Sequence, residues 1–485
     1  MKKLLTLLLI LIPVWCYGYT EWYCDPVNGS NLNSGTDTNA AAFYTTTSGN
    51  WNSGTFVFTP TDGSNPVTAG VAVGQIASVY TNGATDTAFC GTISAVTNAA
   101  NGTITVGSTG RMGTTPTTAT GTLSLKVGGA WQGPHGAVGW PITASTTGGI
   151  TTASVPRVNF KNNGTYSISA ALAVSTSWPV SNSTAFQGYS STPGDGGKAT
   201  IDTGTNAVGA ISTTGAAGIT FADLIFQTSA TTGASIGVTQ NTYAYFFRCV
   251  VHGFKSHGFY ISGGDLGVYV ECESYGNTGI GFANAAGGAI YVFCYSHGNT
   301  SYGYYLGASQ QAIYVINSIS DSNGTAGILI DAFSNMTLVA TNCDFYNTSG
   351  DGISEKSSGV AIIRNCNFIK NTGKGINVTG GVNGYANNNG YGAGTMANGS
   401  ADTLAAIVST GAVTYASGVT PWNARPPRVI SASCLRQRRR QVVARSLKLR
   451  PRLAQWVIQT SVRRKAKARL NLFRLITRSE KDRDD

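Results

Sequence analysis

The sequence predicts an all-β protein whose body is a parallel β-helix, a solenoid carrying a small N-terminal β-domain. Three observations lead there. The second half repeats with a period of about 23 residues, within the range from which solenoids are built. No unit holds an apolar-periodic run long enough for a helix, so each coil must be made of short strands. Only 11% of residues are charged, 42% are hydrophobic and 62 are glycine. Such short apolar runs between turn formers suit a repetitive β protein and exclude a disordered chain.

The elements follow in order. Lys2 and Lys3 precede an apolar run at 4–14, and Cys16-Tyr17-Gly18 places small residues at both positions of a cleavage site. Residues 1–18 are therefore expected to be a signal peptide. Trp15 is too bulky for a lipoprotein anchor at Cys16, and about a dozen apolar residues are too few to cross a bilayer. The chain is expected to be secreted or extracellular, in the periplasm or at the cell surface, with no membrane span.

Residues 19–150 are expected to form a cap and a small β-domain. Residues 40–130 are rich in Thr, Gly, Ser and Val, with alternation at 74–80 and 102–106. A solenoid needs such a cap over its first edge strand. Residues 131–140 read as a Gly/Pro-rich loop leading into the coils. The β-helix is expected over 151–400, followed by a C-terminal region over 401–485.

The formal charge of +11 misleads about partners. Residues 421–485 hold 19 of the 32 Lys and Arg with 4 acids, whereas 19–420 hold 11 against 17. The body is mildly acidic, and nucleic acid is not an expected partner. Residues 421–485 also contain no Gly and no Tyr. This abrupt change is read as a reading-frame slip near Pro421, in preference to a basic nucleic-acid-binding tail opened by Arg436 to Arg440.

Within the repeat, Cys249, Cys272, Cys294, Ser318, Cys343 and Cys366 are equivalent, at intervals of 23, 22, 24, 25 and 23 residues. Nine residues after each comes Gly258, Gly281, Gly303, Gly327, Gly352 or Gly375, followed by Phe259, Phe282, Tyr304, Ile328, Ile353 or Ile376. The cysteines are expected to stack as small inert hydrophobes, because one per coil does not make the paired spacing of a zinc site. Asn317, Asn342 and Asn365, just before their anchors, fit an asparagine ladder at a tight left-handed bend. The glycines fit either positive φ or a close backbone approach. Cys24 and Cys90 are left as a candidate disulfide.

Coils such as 360–376 resemble the right-handed parallel β-helix of the pectin lyase-like superfamily. The segments 23–31 and 187–197 resemble its opening. The resemblance implies a ligand groove along the outer face of one strand stack, here the stack that starts at the repeated glycine. Strand alternation then turns Tyr260, Ala283, Tyr305, Leu329, Ser354 and Asn377 outward. His257, Ile280, Tyr302, Ala326, Asp351 and Lys374 fall at the groove edge.

His257, Tyr260, Tyr302 and Tyr305 are the expected substrate-binding residues, since aromatic faces beside polar groups suit sugars. Ordinary solvent-facing strand residues are the plainer reading for any one of them. For catalysis the resemblance offers two patterns. A glycosidase needs paired carboxylates, but the coils hold no Asp-Asp pair, and Ser256-His257-Gly258 and Ser296-His297-Gly298 lack the first glycine of the superfamily's G-H-G. A lyase needs a base and clustered acids for Ca2+. Asp321, Asp331, Asp344, Asp351 and Glu355 recur on successive turns, with Lys356, Arg364 and Lys374 nearby.

Asp351, Glu355 and Lys374 are the best catalytic candidates. Adjacent coils would bring Asp351 and Lys374 about 5 Å apart, where a salt bridge is the plainer expectation. No cofactor is implied apart from Ca2+ in the lyase case. Two functions of different class stand: a secreted polysaccharide lyase or glycosidase, and a non-catalytic glycan-binding adhesin, surface or phage-tail-like β-helix. Both take a polysaccharide or cell-surface glycan as partner, and a homotrimer is left open.

Overall fold

The computed structural model describes residues 19–398, interrupted at 31–40, 83–88, 98–101, 107–111, 131–154, 175–184, 214–217, 308–311, 332–335, 357–359, 379–382, 392–396 and a few shorter places. The expected signal peptide, the 131–140 loop and the suspected frame-slipped tail lie outside the described residues. Every regular element described is a β-strand.

Three parallel sheets of 11, 10 and 10 strands run along the solenoid. Each coil gives one strand to each sheet in turn. One coil places Gly267–Val270 in the first, Glu273–Tyr275 in the second and Phe282–Asn284 in the third, before Ala289–Val292 returns to the first. The strand order gives ten coils from Val155–Lys161 to Ala397–Asn398.

The remaining strand of the first sheet is the cap. Tyr19–Cys24 pairs in parallel with Val155–Lys161, so the segment that precedes the small β-domain covers the first coil. Between those two strands seven antiparallel strands form the β-domain. Their order closes into a barrel through the pairing of Ile76–Thr81 with Phe89–Thr97. It has its own core, including Trp51, Phe58, Phe89 and Leu125. Cys24 is a buried free thiol and not half of the candidate disulfide; the Cys90 side chain lies outside the described residues.

The solenoid core is built by repetition. Phe186, Phe221, Phe246, Tyr269 and Tyr291 stack inward along the first sheet at ring separations of 5.0–5.2 Å. Phe259, Phe282 and Tyr304, the residues after the repeated glycines, stack along the third at 5.0 and 5.1 Å. Each such contact adds about 0.5–1.5 kcal/mol beyond the burial itself. The anchor cysteines are buried free thiols. Burial pushes Cys249, Cys272 and Cys343 well above the usual thiol range, which keeps those thiols inert.

The bend between the first and second sheets puts one residue per coil at positive φ. Asp223, Arg248, Glu271, Phe293, Asn317, Asn342 and Asn365 share φ of 50–56° there. Asn342 Nδ2 donates to Asn317 Oδ1 at 3.1 Å, the expected ladder bond. Four coils earlier an ion pair takes its place, with Arg248 Nε donating to Asp223 Oδ1 at 2.6 Å.

A second ladder is internal. Asn277 Nδ2 donates to Asn299 Oδ1 at 2.9 Å, and Asn299 Nδ2 to Asn323 Oδ1 at 3.0 Å, all fully buried. Ser274, Ser296 and Ser320 donate to the carbonyls of Gly281, Gly303 and Gly327. This settles why the repeat needs its glycines. A Cβ on Gly281 would lie 2.1 Å from Ser296 Oγ and 2.9 Å from the Gly303 oxygen. Close approach, and not positive φ, is the constraint.

Candidate functional site

The third sheet carries the predicted groove row in register. Tyr260, Ala283, Tyr305, Leu329, Ser354 and Asn377 are consecutive partners across six coils. Tyr260, Tyr305 and Asn377 are half-buried, while Ala283, Leu329 and Ser354 are buried.

The edge residues join the tyrosines. The His257 ring lies 5.4 Å from the Tyr260 ring, and the Tyr302 ring lies 6.3 Å from the Tyr305 ring. The four predicted substrate-binding residues thus form two ring pairs, separated by the coil that carries Ala283. His257 and Tyr302 occupy one edge position, and Tyr260 and Tyr305 one outward position, three residues on; strict alternation would part them, and two consecutive buried residues, Gly258-Phe259 and Gly303-Tyr304, bring each pair to one side.

Burial shapes the titration of this cluster. Burial pushes the Tyr305 phenol up, with the Asp331 carboxylate and the neighbouring Tyr302 and Tyr260 adding to it. Burial pulls His257 below the usual imidazole range, and its Nδ1 is buried with no hydrogen-bond partner among the described residues. The cluster therefore favours the neutral forms of the His257 ring and the Tyr305 phenol, with Asp331 beside the latter. Asp331, expected among the acids on successive turns and not beside the tyrosines, directly follows strand Ala326–Ile330.

The three catalytic candidates do not converge. Asp351 Oδ1 accepts from the backbone amide of Lys374 at 2.8 Å, and Asp351 Oδ2 from Asn377 Nδ2 at 2.8 Å. The juxtaposition of Asp351 and Lys374 occurs, but a backbone amide, in place of the expected ammonium, holds the carboxylate. Glu355 is 1% exposed and stands in register with Ile330 and Val378. It follows outward-facing Ser354, so the two-residue period turns it into the coil. Asp351 and Glu355 also sit at opposite ends of one strand, about 13 Å apart at ~3.3 Å per residue.

Calcium would need several convergent oxygens. Among the described residues no three His, Cys, Asp or Glu side chains are placed to hold a metal together. Among the described residues no helix is long and apolar enough to cross a membrane.

The second sheet carries a column that the groove-centred reading missed. Asp202, Gln227, His252, Tyr275, His297, Asp321 and Tyr346 are register partners on its outer face. The His252, Tyr275 and His297 rings stack at 4.6 and 4.8 Å, within 9° of parallel. His297 Nε2 lies 3.1 Å from Glu273 Oε1, and the Tyr295 hydroxyl donates to Asp321 Oδ2 at 3.1 Å. These rings spend their faces on one another, which suits a stabilising ladder better than a sugar platform. The signal was in the sequence: each of these three rings stands three residues after an anchor cysteine.

No protein-family model matches the chain, and no curated protein matches it. Solved structures do resemble it in fold. The pectate lyase Pel9A is 16% identical at a TM-score of 0.40, with 53% of this chain and 74% of that one covered. The A-module of the Azotobacter vinelandii mannuronan C-5 epimerase AlgE6 is 14% identical at 0.38, covering 54% and 81%. The catalytic domain of a GH87 alpha-1,3-glucanase is 12% identical at 0.28, covering 74% and 88%. The three parallel strand stacks of this chain are themselves the architecture that the resemblance to the pectin lyase-like superfamily implies.

Proposed function

We propose that this chain is a secreted protein that binds a polysaccharide along the outer face of the third sheet. One observation carries the reading: His257 with Tyr260, and Tyr302 with Tyr305, form two half-buried ring pairs in the same row, two coils apart. Ring faces with hydroxyls at their tips, with the Asp331 carboxylate beside Tyr305, suit the alternating apolar and hydroxyl surfaces of a sugar. Coils ~4.8 Å apart repeat such contacts along one direction, as an extended polymer requires.

Binding is favoured over cleavage because the carboxylates are not paired. Glu355 faces the interior and Asp351 is occupied by two donors, whereas hydrolysis of a glycosidic bond needs two carboxyls facing it. The test is to incubate the full chain with a panel of acidic and neutral polysaccharides, with and without calcium. Retention of one polysaccharide without new reducing ends or unsaturated products supports the reading. Cleavage products would move the assignment to a lyase or glycosidase, and no retention of any polysaccharide would remove it.

A further inference from the structure

The ring of Tyr305 ends over a glycine. A Cβ on Gly307 would stand 2.6 Å from Tyr305 Cε1, 2.7 Å from its hydroxyl oxygen and 2.9 Å from Cζ. Gly307 is not among the residues at positive φ, so its backbone conformation is open to other residues. The demand for glycine comes from the ring. Equivalent positions on neighbouring coils, aligned by the amide bonds that follow each third-sheet strand, are Ala285, Asp331 and Lys356, all of which carry a Cβ. The same alignment puts Gly307 directly beside Asp331.

We propose that Gly307 is a positioning residue of the glycan-binding face: its bare Cα lets the Tyr305 ring lie back along the strand, hydroxyl toward Asp331, and so sets the ring face that a sugar meets. The inference rests on the binding reading above. Tyr260 reaches its own orientation differently, by packing against His257, so one aromatic pair is set by a ring and the other by an absent methyl.

The crowded atoms are the free end of a side chain, so an added methyl displaces the ring and leaves the fold standing. The experiment compares the full chain with Gly307→Ala, Tyr305→Ala and the double variant on whichever polysaccharide the wild type retains. Gly307→Ala is expected to weaken retention by up to about fivefold, the loss expected of Tyr305→Ala, with an unchanged melting temperature. The double variant should bind no more weakly than Tyr305→Ala alone, because Gly307 acts only through that ring. Wild-type retention in Gly307→Ala, or losses that multiply in the double variant, would overturn the proposal.

A second readout needs no glycan and separates this claim from the binding reading. In ring-labelled protein, with Tyr305→Phe used for assignment, the Tyr305 phenol should titrate high in the wild type and move toward ordinary tyrosine in Gly307→Ala. An unchanged titration would overturn the positioning role, whatever the polysaccharide panel shows.

Discussion

Tyr260 and Tyr305 occupy the same outward row of the third sheet two coils apart, with buried Ala283 between them. Each leans on a different neighbour, so they should act as separate contacts on one ligand. Tyr260→Ala and Tyr305→Ala are each expected to weaken polysaccharide binding by about 1 kcal/mol, roughly fivefold, and the double variant by nearly the sum. Affinity electrophoresis on the retained polysaccharide measures all three.

The internal asparagine ladder should dominate local stability. Asn299→Ala removes the acceptor of Asn277 and the donor to Asn323, leaving buried polar groups unpaired at a cost of about 1–3 kcal/mol each. Asn347→Ala, at an exposed bend where Asn347 bonds Ser322, should cost well under half as much. Urea unfolding of the two variants makes the comparison.

Gly281→Ala should destabilise the solenoid for a different reason from Gly307→Ala. The atoms it would strike, Ser296 Oγ and the Gly303 carbonyl, are fixed by the ladder, and overpacking of this kind costs about 1–3 kcal/mol. A lowered melting temperature in Gly281→Ala beside an unchanged one in Gly307→Ala is the expected contrast.

Asp25 should give the cap an acid limit. Burial alone would raise its carboxyl, but the amide of Asn28, with Asn163, Lys161 and the Val27 amide, outweighs burial and holds it near about 2. The folded value lies below the ordinary ~3.9, so the contribution is complete above about pH 5 and is lost as pH falls from about 4 toward 2. It should amount to roughly 1–2 kcal/mol, and Asp25→Asn should remove it. The difference between wild type and variant, followed by urea unfolding from pH 6 to 2, should shrink across that window.

The fold was legible because a solenoid writes each structural job once per coil. The anchor cysteines, the glycines nine residues on and the large apolar residue after each glycine all land where the spacing put them. Asn317 and Asn342 show their ladder bond as well. Hidden from that spacing was the chemistry of substitution. Arg248 with Asp223 does by ion pairing what the asparagines do by amide bonding, and the Asn277–Asn299–Asn323 ladder lies five residues past the anchors, where nothing but the register marks it.

The site was half legible for a related reason. Outward positions follow from a two-residue period, which found Tyr260 and Tyr305. Glu355 was taken for a turn residue, although the same period continues through it and turns it inward. Gly307 carries no side chain, and its part emerges only once the Tyr305 ring is seen to lie over it.

The central claim is that the third-sheet aromatic patch is the polysaccharide site. The most direct test is retention of the wild-type chain on the polysaccharide panel beside a Tyr260→Ala/Tyr305→Ala variant and a Tyr275→Ala control from the second-sheet ladder. Loss of binding in the double variant, with Tyr275→Ala retained like the wild type, is the predicted result. Undiminished binding by the correctly folded double variant would contradict it.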